Sequence, residues 1–119
     1  MEAAKSPAEI NPFPSEILSL PLVEIPIDGV TGYCLHNSER QLVFFVMEEG
    51  VSFPDHTHCT QSGKVICGEM TMEIDGQTEL YGPGDTYRVP EGTKHRTHFS
   101  MRTYLIDMSN APDRYTVCV

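Results

Sequence analysis

The sequence predicts an all-β protein, a sandwich or barrel of short strands. Apolar and polar residues alternate over short runs, the period of a half-buried strand. Glycine, proline, asparagine and aspartate break these runs at short intervals, where a chain of hairpins needs its turns. No amphipathic stretch of helical period and a dozen residues' length competes with this reading.

Taken in order, residues 1–16 carry Pro7, Pro12 and Pro14 among polar residues and read as an irregular arm. Ile10 and Phe13 are apolar enough to dock on a surface, a partner subunit being one candidate. Residues 17–119 form the domain proper. LVEIPID at 22–28 reads as a short strand, with Pro26 at an edge or break, and 31–35 as another. QLVFFVM at 41–47 is the most hydrophobic run, with Leu42, Phe44 and Val46 on one face and Val43, Phe45 and Met47 on the other. A strand apolar on both faces is covered on both sides. The interior covers one; the arm or a second subunit must cover the other, and from this a homodimer is expected.

Gln61-Ser62-Gly63 reads as a turn, and residues 65–67 as a strand running back. MTMEID at 70–75 alternates, and Asp75-Gly76 is a hairpin turn leading to a return strand at 77–80. Gly82-Pro83-Gly84-Asp85 turns the chain into a strand at 86–90. Residues 95–99 and 101–108 add two more, with Tyr104, Ile106 and Met108 as one stripe, and Tyr115, Val117 and Val119 mark a last one.

With 119 residues, one domain with its own core is expected. The formal charge of −9, from 17 acidic and 8 basic residues, argues against nucleic acid and against anionic membrane surfaces. No apolar run reaches membrane-spanning length, and the first sixteen residues hold no signal-type apolar core, so a cytoplasmic protein is expected. Cys34, Cys59, Cys67 and Cys118 form no CxxC pair and are expected as free thiols.

The chemistry concentrates in two segments, GVSFPDHTHCTQSGKVICG at 50–68 and GDTYRVPEGTKH at 84–95. His56 and His58 are one residue apart, so on a strand they share a face. A third imidazole, His95, closes a three-histidine metal site if the fold brings it across. The surface alternative is two solvated histidines beside a turn. His98 falls on the opposite parity from His95, His36 sits in a polar turn, and Asp55 projects away from His56. No nucleophile elbow and no paired pocket carboxylates are evident, so the sequence points to a metal or to no catalysis.

The spacing of Gly50, His56, His58 and Gly68, followed by Gly84, Pro90, Gly92 and His95, resembles the two-motif signature of the cupin family over residues 50–108. That resemblance implies a single-domain jelly-roll (double-stranded β-helix) barrel with His56, His58 and His95 binding a metal inside it. The family's usual glutamate ligand is missing. Gln61 matches it when counted back from Gly68, and Ser62 is the rival when counted on from His58. An amide oxygen ligates without adding charge. Phe99 stands where the second motif tends to carry asparagine. The expected set is thus His56, His58, Gln61 and His95 around a divalent ion (iron, nickel, zinc or copper). The expected lining is apolar, from Phe44 or Phe45, Met70 or Met72, Phe99 and Tyr104, with Phe44 and Met70 taken first from their pairs. A small organic molecule is the expected partner. The resemblance implies a metal-dependent dioxygenase or related enzyme; the alternative is a non-catalytic binding or sensing module.

Overall fold

A computed structural model describes residues 11–118. The elements are a four-residue helix α1 (Ser15–Leu18) and eleven strands: β1 (Val23–Glu24), β2 (Val30–His36), β3 (Gln41–Met47), β4 (Ser52–His56), β5 (Gln61–Cys67), β6 (Met70–Ile74), β7 (Gln77–Tyr81), β8 (Thr86–Val89), β9 (His95–His98), β10 (Thr103–Ser109) and β11 (Thr116–Val117). Every hydrogen-bonded strand pair is antiparallel. The strands form a five-stranded sheet, β2-β3-β10-β5-β8, a four-stranded sheet, β4-β9-β6-β7, and a small β1-β11 ribbon. Among the described residues no helix is long and apolar enough to cross a membrane.

One apolar cluster joins the two larger sheets. Cys34, Val43, Phe45, Val65, Val89 and Leu105 enter it from the five-stranded sheet, Met70 and Met72 from the other, and Phe99 from just beyond β9. Burying a side chain such as Phe45 contributes about 2 kcal/mol. The hairpin between β6 and β7 turns at Asp75 and Gly76, with φ of 50° and 79°. Successive left-handed residues match a two-residue hairpin turn to the strand twist.

Two readings of the sequence change. Gln61-Ser62-Gly63 is the start of β5, paired with Val89, Arg88 and Tyr87 of β8. Gly63 is there because the Tyr87 phenol lies where a Cβ would go, a close approach rather than a turn. In β10 the inward residues are Thr103, Leu105, Asp107 and Ser109, all buried, whereas Met108 of the expected stripe is exposed.

The outer face of β3 is partly covered by the arm. Phe13 packs edge-on against Phe44 at 5.4 Å and Tyr104 at 5.9 Å between ring centroids, with Ile17 beside them. Residues 1–10, Ile10 included, and Val119 lie outside the described residues. The helix α1 runs across the expected boundary at residue 16. Because Phe13 is 7% exposed, Phe13→Ala is expected to lower unfolding free energy by about 3 kcal/mol in urea titrations. A loss under about 0.5 kcal/mol would mean that the arm does not dock in solution.

Candidate metal centre and its cavity

His56 ends β4, His58 lies two residues beyond, and His95 opens β9. The register between β4 and β9 brings them together. Phe53 pairs with Thr97 but His56 pairs with His95, so β4 spends three steps where β9 spends two. The extra residue is a bulge at Pro54-Asp55, and Pro54 cannot donate to a ladder in any case. Strict alternation would put Phe53 and Asp55 on the same face. The bulge puts His56 on the face of Phe53 and sends Asp55 outward, where it lies 3.8 Å from Lys94 and 3.9 Å from Arg96.

The three rings converge, with centroids 4.1 to 5.1 Å apart, and a ligand atom from each lies within 4.8 Å of the others. Each Nδ1 faces a backbone carbonyl: His56 that of Pro54 at 2.6 Å, His58 that of Cys59 at 2.6 Å, His95 that of Thr93 at 2.9 Å. A carbonyl only accepts, so each Nδ1 carries the proton and, in a neutral ring, each Nε2 keeps a lone pair. The Nε2 atoms of His58 and His95 are 3.0 Å apart. Two lone pairs at that distance have no proton between them, and a shared cation satisfies both. The donor set therefore fits a divalent metal ion whose identity imidazoles alone do not choose.

Burial disfavours the charged form of His58 and His95. Burial pushes the His58 pKa down to about 4, the nearby Arg114 charge adds to the fall, and the hydrogen bond to Cys59 opposes it. Burial also lowers His95, against its bond to Thr93. His95 is buried, while His56 and His58 are half-buried, so the centre sits at the mouth of a cavity rather than sealed within the core.

The cavity opens between the sheets with about 50 Å³ of free room, enough for a few waters or the reactive end of a small molecule. His56 and His95 line one side, and Met70, Met72, Phe99, Phe45 and Leu105 the apolar part. Phe44 and Tyr104, expected as lining, are on the other face of the sheet under Phe13. The reason is parity: Phe44 pairs with Ile106 and Phe45 with Leu105, and the second pair faces in. Both methionines line the cavity, because positions 70 and 72 share a face.

The wall across from the histidines is polar. The Gln61 side-chain amide donates to Asp107 Oδ2, and the Tyr87 hydroxyl donates to the same oxygen at 2.9 Å. Burial pushes the Asp107 pKa up to about 7 against both bonds. Its Oδ1 is buried without a partner, as is Arg114 Nε. The Arg114 guanidinium lies 4.4 Å from the centroid of the Tyr115 ring. Gln41 pins this segment to β3: its amide donates to the Tyr115 carbonyl at 2.8 Å and accepts from the Tyr115 N–H at 2.9 Å. Asp107 and Arg114 escape a search for ligand motifs. The signal available was a carboxylate on the Thr103-Leu105 parity of an apolar strand.

The remaining candidates lie outside. His98 is exposed and bonds Ser52 Oγ at 2.6 Å, and His36 is exposed at the end of β2. All four cysteines are free; Cys59 and Cys67 are half-buried and neither belongs to the histidine cluster.

A family model described as "Cupin domain" matches residues 25–102. The chain belongs to the cupin family. Among solved structures it resembles an RmlC-like cupin from Shewanella frigidimarina, at 25% identity and a TM-score of 0.72, over 82% of this chain and 87% of that one. KdgF from Halomonas sp. is 23% identical with a TM-score of 0.69, over 77% of this chain and 88% of that one. Salicylate 1,2-dioxygenase from Pseudoaminobacter salicylatoxidans is 16% identical with a TM-score of 0.67, over 78% of this chain but 30% of the larger enzyme. No curated protein matches the sequence.

Asp107 gives the site a pH signature. Its folded pKa of about 7 lies above the ordinary 3.8, so its share of stability is present below 3.8 and lost as pH rises through 7. Neutral His58 acts oppositely, its contribution complete above 6.5 and lost as pH falls toward 4. Asp107→Asn removes only the first effect. In metal-free protein its unfolding free energy relative to wild type is expected to rise between pH 5 and the folded pKa of about 7 and to level off above it, by a few kcal/mol at most. A difference independent of pH would place the Asp107 titration elsewhere.

Proposed function

We propose that this cupin is a metal-dependent enzyme acting on a small organic molecule, with dioxygenation or a related metal-centred step as its reaction. The observation that carries the reading is the convergence of three imidazoles, each turned by a backbone carbonyl, on one point at the mouth of a cavity. A bound ion would supply Lewis acidity, an activated water or a redox centre. The chain's own residues do the rest. The apolar lining excludes water, and Asp107 presents Oδ1 to the interior. Since Oδ2 already accepts two hydrogen bonds, a proton held by Asp107 sits on Oδ1.

Gln61 is our choice for a fourth ligand. Its amide nitrogen is engaged by Asp107, which leaves the carbonyl oxygen as the atom able to ligate. The rest of the reading extends this picture. The two facing sheets are the halves of a jelly-roll barrel, supported by their common core. A cytoplasmic setting is supported by four free thiols. A homodimer is supported by the outer face of the larger sheet, where Leu35, Leu42 and Met108 stand side by side and two of the three are exposed.

The smallness of the cavity favours a second reading, a binding module without turnover. Protein purified without an affinity tag separates the two. The enzyme reading expects about one divalent ion per chain, none in His58→Ala, and substrate-dependent oxygen uptake or product formation that a chelator abolishes. Ligand binding unchanged by metal removal, with no turnover, would favour the module. Full metal occupancy in His58→Ala would remove the ligand assignment.

Gln61→Glu tests the fourth position. Asp107 can carry the proton that two adjacent carboxylates must share, so the new carboxylate is free to ligate. Metal affinity in competition with a chromophoric chelator is expected to rise about tenfold or more. An unchanged affinity would return the position to Ser62 or water.

A further inference from the structure

Two buried polar atoms in the cavity lack partners, and they are complementary. Arg114 Nε is a donor, and Asp107 Oδ1 accepts when ionised and donates when protonated. Both residues line the same cavity. A buried donor left unmade costs free energy, so each marks a place where something else belongs.

Arg114 is also set apart by its surroundings. Arg40, Arg96 and Arg102 each pair with a carboxylate, and Arg88, which pairs with none among the described residues, is exposed on β8. Arg114 has no carboxylate oxygen within 4.0 Å among the described residues, although its charge is felt at both Asp107 and His58. With Phe53, His56 and Tyr115 it lines both the inner cavity and an open groove of about 370 Å³ beside β1 and β11. The groove holds one carboxylate, Glu24, which accepts from the Cys118 thiol. The guanidinium therefore stands at the threshold, held against the Tyr115 ring on a segment that Gln41 anchors.

We propose that the cavity takes a small hydroxy acid: Arg114 holds its carboxylate at the junction of groove and cavity, and Asp107 Oδ1 meets its hydroxyl inside. The assignment rests on the cavity being the substrate site, as in the proposed function, but not on the metal being present. A guanidinium matches a carboxylate in shape and charge. In a chain of net charge −9, an arginine at the cavity mouth with no carboxylate in contact is the feature that draws an anion in. The hydroxyl partner separates this class from simple carboxylates.

The test uses full-length, metal-free protein, with lactate, propionate and lactamide as probes. Arginine Nε–Hε signals in nitrogen-15 spectra report the contact, and Arg114→Lys identifies the resonance by its loss. Lactate is expected to shift that signal and to bind more tightly than propionate, with lactamide weaker than both. Arg114→Gln is expected to weaken lactate at least about tenfold. Asp107→Ala, which leaves no polar atom at that position, is expected to erase the preference for lactate over propionate. Backbone spectra of each variant show that it has folded. Three results would overturn the proposal: no shift with lactate at roughly 50 mM, where even a millimolar site is filled; lactamide binding as tightly as lactate; or Arg114→Gln binding lactate as wild type does. A chain that takes up no divalent ion yet binds lactate through Arg114 would support this assignment while removing the metal reading.

Discussion

The hydrogen bonds from the three Nδ1 atoms to the carbonyls of Pro54, Cys59 and Thr93 set the tautomer of every ring in the centre. Their effect is to aim three lone pairs at one place. Such an arrangement is unfavourable without a cation, because acceptors face acceptors and burial disfavours protonating His58 and His95. All three carbonyls belong to irregular backbone at or near strand ends, since a carbonyl within a regular ladder is already taken. The bulge at Pro54-Asp55, the residues just past the end of β4, and the turn before β9 are where the sheet leaves carbonyls to spare. Placement of the histidines thus depends on where the pairing fails as much as on where it holds.

The site divides along the two sheets. The histidines come from β4, the segment after it and β9 on the smaller sheet; Gln61 and Asp107 come from β5 and β10 on the larger. The Asp107 carboxylate survives burial because two donors meet one oxygen, yet its pKa still rises. Two hydrogen bonds therefore do not replace the lost solvent, and the second oxygen remains free. A fold that places an ionisable group with one free oxygen opposite a metal-competent cluster brings polar chemistry into an otherwise apolar interior.

Much of this was legible in the residues. Alternation and turn chemistry located the strands, and the spacing of His56, His58 and His95 located the centre. What failed was the choice between faces. Phe44 and Phe45 are equally apolar, and the outer face of β3 is apolar because Phe13 covers it, so composition does not tell inside from outside. In β10 the more hydrophobic parity, Tyr104-Ile106-Met108, is the outer one; the inner parity carries Thr103, Asp107 and Ser109. Reading hydrophobicity as burial inverted that strand and hid Asp107. Gly63 misled for a related reason: a glycine that admits a neighbouring ring looks, in one dimension, like a glycine that turns.

The C-terminal segment shows why the last part of the site was illegible. Arg114 and Tyr115 lie outside regular strands, and nothing in their local sequence marks them as cavity residues. Their position is set from 74 residues away by the Gln41 amide, which uses both its donor and its acceptor on the Tyr115 backbone as a strand neighbour would. Gln41 is buried to 1% exposure, and a buried amide is tolerated only when both its ends are satisfied. The requirement is therefore mutual. The segment needs Gln41 in order to be held over the cavity, and Gln41 needs the segment in order to be buried at the edge of β3. The Phe45–Tyr115 ring contact at 5.6 Å ties the same segment to the core. A wall built by such reciprocal long-range contacts has no local motif, and only the folded arrangement of β3 against the C-terminal strap brings Arg114 to the mouth of the cavity.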